Sequence, residues 1–504
     1  TFNKIIHDII VKQPAAFIYE RLGERYSHFL IDEFQDTSIL QWQNFIPLIV
    51  DSLDYGISLI VGDAKQSIYR WRAGDMNQFV NLPLIYKGDD LSFKHEWENK
   101  LSDHYDRKVL DNNFRSLKEI IKFNNLFFSK VQHILPSYFQ KIYESHEQNL
   151  DYVNDGGYVC IEQFSNDNFK DSICERLIIE IQHLVNNRNY RLSDIAILCS
   201  SNKNTSLVAE KLMEANINVI SNEGILLASS EKVHFIISVL QHLSNPLDHI
   251  PRVIIINYLN NKLFNKDLHK LYSSVISSDS FYTFLKENNI LFNPESLLEL
   301  SIYQLVEQII IDFRIIDDLY VHFLKDYILK FELKEGSSIP KFLTAWEDVR
   351  SKETIAVPSE TDAVNIMTVH KAKGLAFNVV FIPFNWDDGR KTDEIWIDTS
   401  SYLKNALSTA LINSNSRLEM SHFSKTYNLE KELKLLDSFN KLYVAMTRAK
   451  ERLYIFTKEY PKKIDKDFFR KGYINSFINV FGPPQPFSVG KENMICKNIT
   501  NIDS

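Results

Sequence analysis

Two apolar segments of this sequence end in residues suited to handling phosphate. Phe29-Leu30-Ile31 runs into Asp32-Glu33-Phe34-Gln35-Asp36-Thr37. An apolar strand that delivers adjacent carboxylates lets one help hold Mg²⁺ while the next orients or deprotonates an attacking water. The same pair also suits a plain solvated strand end. Leu59-Ile60-Val61 exits into Gly62-Asp63-Ala64-Lys65-Gln66, where Gln66 could sense a phosphate, and then into Ser67-Ile68-Tyr69-Arg70-Trp71-Arg72. Aromatics alternating with arginines fit unpaired nucleic acid: Tyr69 and Trp71 would stack on bases while Arg70 and Arg72 neutralise phosphates. An aromatic patch buried between helices fits the same string.

Three further segments set a cation beside an apolar strand or helix. They are Leu110-Asp111-Asn112-Asn113-Phe114-Arg115-Ser116, Asn365 to Phe377 with Thr368, His370, Lys371 and Lys373, and Lys441 to Glu451 with Arg448. Taken singly, each arginine reads as a surface salt bridge.

Parallel strands alternating with helices would position such loops, because ligands of a doubly wound sheet sit at strand ends. Phe17–Arg25 is expected to be a helix, with strands over His28–Ile31 and Ile57–Val61. A second α/β block begins at Gly156-Gly157, with strands at Tyr158–Ile161 and Asp194–Leu198 and a helix over 172–186. From 231 to 350 the apolar spacing turns to three and four, as in Val233-Phe235-Ile236-Val239-Leu240 and Leu305-Ile309-Phe313, which predicts helices. Strands return at Ala363–Met367, Val379–Ile382 and Leu453–Phe456. One α/β body interrupted by a helical insertion accounts for this order.

Composition narrows the function. The 504 residues are 44% hydrophobic and 24% charged, ordinary for a globular protein of roughly three domains. No apolar run approaches the ~20 residues of a membrane span. The cysteines, Cys160, Cys174, Cys199 and Cys496, form no CxxC pair, which argues against a disulfide framework or a zinc site and fits a reducing cytoplasm. A net charge of −8 argues against a generic nucleic-acid coat but not against an enzyme with one basic groove. Residues 441–471 are locally basic; from charge alone they read as a solvated helix face and tail. Residue 1 is Thr, and no signal peptide follows, so the chain is expected to be a piece of something longer.

The five strings, in this order, resemble motifs II to VI of the superfamily 1 UvrD/Rep-type DNA helicases, and their wording is closest to the AddA/RecB helicase-nuclease branch. DEFQDT, VGDAKQSIYRWR, NNFRS, TVHKAKGL and LYVAMTRAKE carry the likeness, which extends over about residues 15–460. Ser221–Leu227 and Asn245–Asp248 look like the AddA/RecB segment leading into its inserted helical subdomain. The resemblance implies RecA-like (P-loop NTPase) parallel-sheet domains with an all-helical insertion. It implies a first RecA-like part over 1–115, a second over 116–244 and 356–460, an insertion over 245–355, and an extension over 461–504.

It also implies roles. Asp32 would bind Mg²⁺ and Glu33 would activate the hydrolytic water of ATP. Gln66 would contact the γ-phosphate and couple hydrolysis to DNA, Arg115 and Arg448 would act as arginine fingers, and Phe114 would cover the adenine. Tyr69, Arg70, Trp71, Arg72, Thr368 and His370 would engage DNA, single-stranded or partly duplex. The implied activity is ATP-dependent 3′–5′ unwinding in double-strand break repair and recombination, in a bacterial cytoplasm, with an AddB/RecC-like partner subunit. The alternatives are a stand-alone UvrD-like repair helicase and a non-catalytic helicase-like scaffold.

Two departures stand out. Ala376 occupies the position where the family usually has a Glu expected to contact the ribose, and no GxxxxGK[ST] string occurs in the chain. That phosphate loop is expected upstream of Asp32, cut off rather than mutated. No carboxylate-rich nuclease motif follows LYVAMTRAKE.

Overall fold

The computed structural model describes residues 4–6, 26–151, 153–165, 168–221, 225–260, 278–290, 292–315, 319–350, 354–355, 362–386, 393–400, 407–460, 473–482 and 486–493. The helix expected over Phe17–Arg25 lies outside them, as does Cys496. The chain divides into two compact units, Thr1–Thr205 with Asp362–Ser504, and Ser206–Thr361.

In the first unit, strands β1 (Phe29–Ile31) and β2 (Ser58–Ile60) pair in parallel, with Leu30 opposite Leu59. Helix α1 (Ile39–Ser52) starts on a reciprocal capping box between Ser38 and Gln41, which satisfies two N–H groups at the helix entry. With α2 (Lys94–Asp103) it closes a small core of Phe34, Trp42, Ile46, Ile49, Trp97 and Leu101. Gly62 follows β2 because a Cβ there would meet the Gln35 side-chain oxygen at 2.8 Å.

The larger sheet follows. Helices α3 (Lys118–Val131) and α4 (Ser137–Tyr143) lead to β3 (Tyr158–Phe164), then α5 (Phe169–Arg188) and β4 (Ile195–Cys199). After residue 362 come β5 (Val364–Thr368), β6 (Phe377–Pro383), a ribbon of β7 (Asp393–Asp398) and β8 (Thr409–Ser414), α6 (Ser424–Met446), β9 (Ala449–Lys458), α7 (Ile474–Phe481) and β10 (Phe487–Gly490). Within this unit the strands lie in the order β10-β3-β9-β6-β4-β5, all parallel except β10. Such strands are buried on both faces and read as apolar runs. Val159, Ile161, Leu453 and Ile455 pack with Phe123, Phe127 and Phe128 of α3, Phe439 of α6 and Phe477 and Phe481 of α7 in one core. The expected strands are present. The ribbon, whose Asp393–Asp398 and Thr409–Ser414 pair antiparallel, was not foreseen.

The reading of 441–471 as a solvated basic face fails where it is described: Arg448 and Arg452 are both fully buried. Arg452 donates to the Tyr190 and Tyr454 hydroxyls (3.2 Å each) and to the Glu492 carbonyl (2.7 Å), so its charge serves the strand core rather than solvent.

The second unit is largely helical, as the three- and four-residue spacing predicts. Val233, Phe235, Ile236, Val239 and Leu240 line the buried side of Glu231–Ser244, and Leu305, Ile309 and Phe313 are buried too. That helix touches those at His249–Leu259, Ile302–Asp312, Leu319–Glu335 and Ile339–Val349. Among the described residues no helix is long and apolar enough to cross a membrane.

Candidate active site

The acidic turn after β1 is held by backbone and amide contacts. Glu33 adopts a left-handed conformation (φ 51°), which costs a non-glycine residue on the order of 1 kcal/mol and so signals over-determined surroundings. Its N–H donates to Asp32 Oδ1 (2.8 Å), and buried Gln35 donates from Nε2 to Glu33 Oε2 (2.6 Å). The other end of the Gln35 amide accepts from Asp63 N (3.0 Å), and Phe34 N donates to Val61 O (3.1 Å). The turns after β1 and β2 are thus laced together. In the second turn, Asp63 caps Lys65 N (3.0 Å) and accepts from Gln66 Nε2 (3.1 Å).

A residue to which the sequence reasoning gave no role completes this cluster. Lys373, with only 6% of its side chain exposed, reaches Glu33 Oε2 (3.0 Å), the Asp36 carboxylate and the Gln66 carbonyl (2.9 Å). Burial pushes the Asp36 carboxyl above its ordinary value, and Lys373 opposes that rise. The second lysine of His370-Lys371-Ala372-Lys373 was the only signal in the sequence, and its distance from Glu33 along the chain hid the pairing.

Arg448 lies opposite. It is 1% exposed and spends its donors on neutral oxygens: Val444 O (2.9 Å), Leu375 O (3.2 Å), Thr447 Oγ1 (2.9 Å) and Gln66 Oε1 (3.5 Å). Among the described residues no carboxylate bonds it. Burial first, and Arg115 second, pull its pKa down to about 10. A guanidinium in this state is short of an anion. Arg115 lies close because its turn is clipped to the start of β9: Ser116 Oγ donates to Ala449 O (2.6 Å), Leu117 N to Lys450 O (2.8 Å), and Arg115 Nη1 to Thr447 O (3.4 Å). Asn113 Oδ1 accepts from the backbone N–H groups of Arg115 and Ser116. The structure therefore brings Gln66, Arg115 and Arg448 together, with Phe114 beside them and 82% exposed. Asp32 is exposed at the end of β1.

Tyr69, Trp71 and His370 form a second, open cluster. The Tyr69 hydroxyl donates to His370 O (2.8 Å), and the Trp71 ring stands edge-on to His370 at 6.2 Å between centroids. Trp71 is 65% exposed, and the Arg72 guanidinium lies 4.6 Å over its ring. The alternative of an aromatic patch buried between helices does not describe Trp71. Thr368 is buried at the end of β5. Arg70 points elsewhere: its Nε donates to Asp437 (2.7 Å) and its two Nη atoms to Glu430 (2.9 Å each), so this fork is committed to α6.

The same elements bear a family signature. Residues 108–300 and 313–460 match the UvrD-like helicase C-terminal domain, and residues 2–86 match the UvrD/REP helicase N-terminal domain. The chain belongs to the UvrD-like helicase family. Its parallel α/β unit is the RecA-like P-loop fold of that family, joined to a largely helical unit. An ATP-dependent helicase/nuclease subunit of Levilactobacillus brevis is 23% identical, over 88% of this chain and 40% of its own length. The RecBCD enzyme subunit RecB of Buchnera aphidicola subsp. Acyrthosiphon pisum is 23% identical over 89% of this chain and 38% of its own. The ATP-dependent DNA helicase PcrA of Bacillus subtilis is 25% identical over 87% and 56%. The chain thus spans less than two thirds of the length of each relative.

Proposed function

We propose that this chain belongs to an ATP-dependent DNA helicase and translocase of the UvrD/AddA/RecB type, which moves 3′–5′ in double-strand break repair and recombination. The observation that carries the reading is the buried Arg448, bonded by no carboxylate among the described residues and set beside Arg115 and Gln66, facing the Asp32–Glu33 turn. Phosphoryl transfer asks little covalent chemistry of a protein and much positioned charge, which this arrangement supplies to a γ-phosphate.

In this reading Glu33 orients the attacking water, and Gln66 and the two arginines stabilise the charge that develops as the phosphate transfers. Asp32 would hold Mg²⁺, in part through water, and the ion would supply positive charge to the phosphates. Phe114, exposed next to Arg115, covers the adenine. Tyr69, Trp71, Arg72, Thr368 and His370 form the single-strand path, whereas Arg70 acts within the protein. Residues 1–115 and the 116–244 and 356–460 segments are the first and second RecA-like parts, with 245–355 inserted. The setting is the bacterial cytoplasm, beside an AddB/RecC-like subunit.

The test is the complete polypeptide assayed for oligo-dT-stimulated ATP turnover and for unwinding of duplexes with a 3′ or a 5′ tail. Turnover with unwinding from the 3′ tail is expected; no stimulated turnover refutes the reading. The likeness to PcrA of Bacillus subtilis favours a second reading, a stand-alone helicase, which the absence of exonuclease activity in the same preparation would support.

A further inference from the structure

Helix α6 holds the loop after β2 at three heights. From its first turns to its middle, Glu430 and Asp437 take the Arg70 guanidinium in three hydrogen bonds of 2.7–2.9 Å. One turn on, Asn440 is 1% exposed and inserts its amide into the loop itself: Nδ2 donates to Ser67 O (2.9 Å) and Ala64 O (3.4 Å), and Oδ1 accepts from the buried Tyr143 hydroxyl (2.7 Å). Just past its end, Arg448 meets Gln66 Oε1 (3.5 Å). Positions 430, 437 and 440 share one helix face, so a single rod carries all of these grips. The two carbonyls that Asn440 binds bracket Gln66. The loop they belong to continues directly into Tyr69 and Trp71.

We propose that Asn440 is a positioning residue for Gln66, with the Arg70–Glu430–Asp437 cluster as its second fastening. Together they make the aromatic platform, the Gln66 turn and the Arg448 helix one body. A strand seated on Trp71 is then felt at the Gln66–Arg448 contact without any new contact being made there. Asn440 touches neither nucleotide nor DNA. Its amide sets where Gln66 points, because a buried amide with both ends satisfied has one orientation and an apolar replacement leaves the Ser67 carbonyl and the Tyr143 hydroxyl without partners. The inference rests on the functional reading above.

The experiment uses the complete polypeptide as wild type, as Asn440→Ala, and as the isosteric pair Glu430→Gln with Asp437→Asn. ATP turnover is measured with and without saturating oligo-dT, alongside the KM for ATP and the affinity for oligo-dT. The expected result is about a tenfold or greater fall in the oligo-dT stimulation of kcat, the scale of an ordinary coupling between two sites, with KM and affinity nearly unchanged. An unaltered stimulation ratio overturns the proposal, as does a loss in which stimulation and affinity fall and KM rises together with a drop in melting temperature. If Asn440→Ala does not fold, the isosteric pair carries the same expectation and the same refutation. Hydrogen exchange separates this inference from the functional reading. Should the wild type show no stimulated turnover, the functional reading falls; faster exchange at Gln66 and Ser67 in Asn440→Ala, with β3 unchanged, still supports the positioning role. Unchanged exchange at Gln66 and Ser67 removes it.

Discussion

Two clusters in the first unit share two stretches of chain, the loop after β2 and the segment from His370 to Leu375, and they differ most in their contact with water. Around Arg448 the charge is buried, and among the described residues the groups that answer it are carbonyls, a hydroxyl and the Gln66 amide. Around Trp71 the site is open: the tryptophan leaves 65% of its surface exposed beside the half-buried Tyr69 and His370, and the neighbouring Arg72 guanidinium lies 4.6 Å from its ring centre. Dry, preorganised charge is worth most where charge develops during a reaction, since a low-dielectric site strengthens each interaction and needs no rearrangement. A stacking platform works only if its faces are available before the base arrives. Burial therefore separates Arg448 from Trp71, the hidden cation addressing a small anion and the exposed ring a polymer, while Arg115 and Phe114 stand exposed at the rim of the anion site.

Arg448 is where this division is most exposed to failure. Removing its guanidinium in Arg448→Ala should lower the kcat of the complete polypeptide by ~10³-fold or more, the scale of arginine fingers in other phosphoryl-transfer sites. Affinity for oligo-dT should change little, because the platform does not touch Arg448. Steady-state turnover and a binding titration on one preparation check both halves, and equal losses in the two would dissolve the distinction between the clusters.

Lys373 gives a finer test, because it joins both clusters. Its ammonium pairs with Glu33 and Asp36 and lies 5.6 Å from the centre of the Tyr69 ring. Lys373→Met leaves the Asp36 carboxylate partly buried without its cation. Breaking buried pairs costs about 3–5 kcal/mol, and the partial exposure of Glu33 brings the expectation to the low end, roughly 2–3 kcal/mol. A drop in melting temperature of about 3 °C is the readout. The sign with pH follows from Asp36. Its carboxyl is already raised above the ordinary 3.8 by burial, and loss of Lys373 raises it further. A carboxyl that holds its proton more tightly when folded contributes stability below its unfolded pKa and loses it as pH climbs through the folded one. The deficit of Lys373→Met against wild type should therefore grow from acid to neutral pH. A deficit independent of pH would mean Asp36 is not the group left unpaired.

Much of this was legible in the sequence. The parallel strands announced themselves as short apolar runs such as Val379–Ile382, and the helical unit through spacing such as Val233–Leu240, because both patterns report which faces are buried. What could not be read was pairing across distance. Nothing local to Lys373 points to Glu33, nothing near Asn440 points to Ser67, and Arg70 looked like a phosphate contact because its neighbours Tyr69 and Trp71 suit nucleic acid. Its actual partners, Glu430 and Asp437, lie on a helix that only the fold brings near. The buried state of Arg448 and Arg452 was likewise hidden, since charge counts carry no information about which arginines the strand β9 draws inside.

On the open side, Trp71→Ala should weaken oligo-dT binding about tenfold, since stacking on an aromatic ring contributes ~1–3 kcal/mol per base. Basal turnover without DNA should stay near wild type, as the ring of Trp71 meets Tyr69, Arg72 and His370 rather than the Gln66–Arg448 pair. Affinity unchanged at fixed salt would remove Trp71 from the strand path and leave the platform to Tyr69 and His370.

The smallest effect concerns Ala376, which lies between the two clusters' supports. Leu375 before it gives its carbonyl to Arg448 Nη1 (3.2 Å), and Phe377 after it donates its N–H to Arg448 O (3.0 Å). The backbone here braces the arginine whatever side chain residue 376 carries. A methyl group offers no hydrogen bond to a sugar hydroxyl, and selection against a substrate lacking a hydroxyl is strong only when the site holds polar groups that its loss leaves unpaired. The complete polypeptide should therefore use dATP and ATP with kcat/KM values within about threefold of each other. Ala376→Glu should raise the preference for ATP while leaving kcat with ATP largely intact, because the Arg448 contacts run through the main chain. A wild type that prefers ATP by a hundredfold or so would place sugar recognition on another residue. An Ala376→Glu variant with depressed kcat for both nucleotides would show instead that the side chain at 376 disturbs the brace around Arg448.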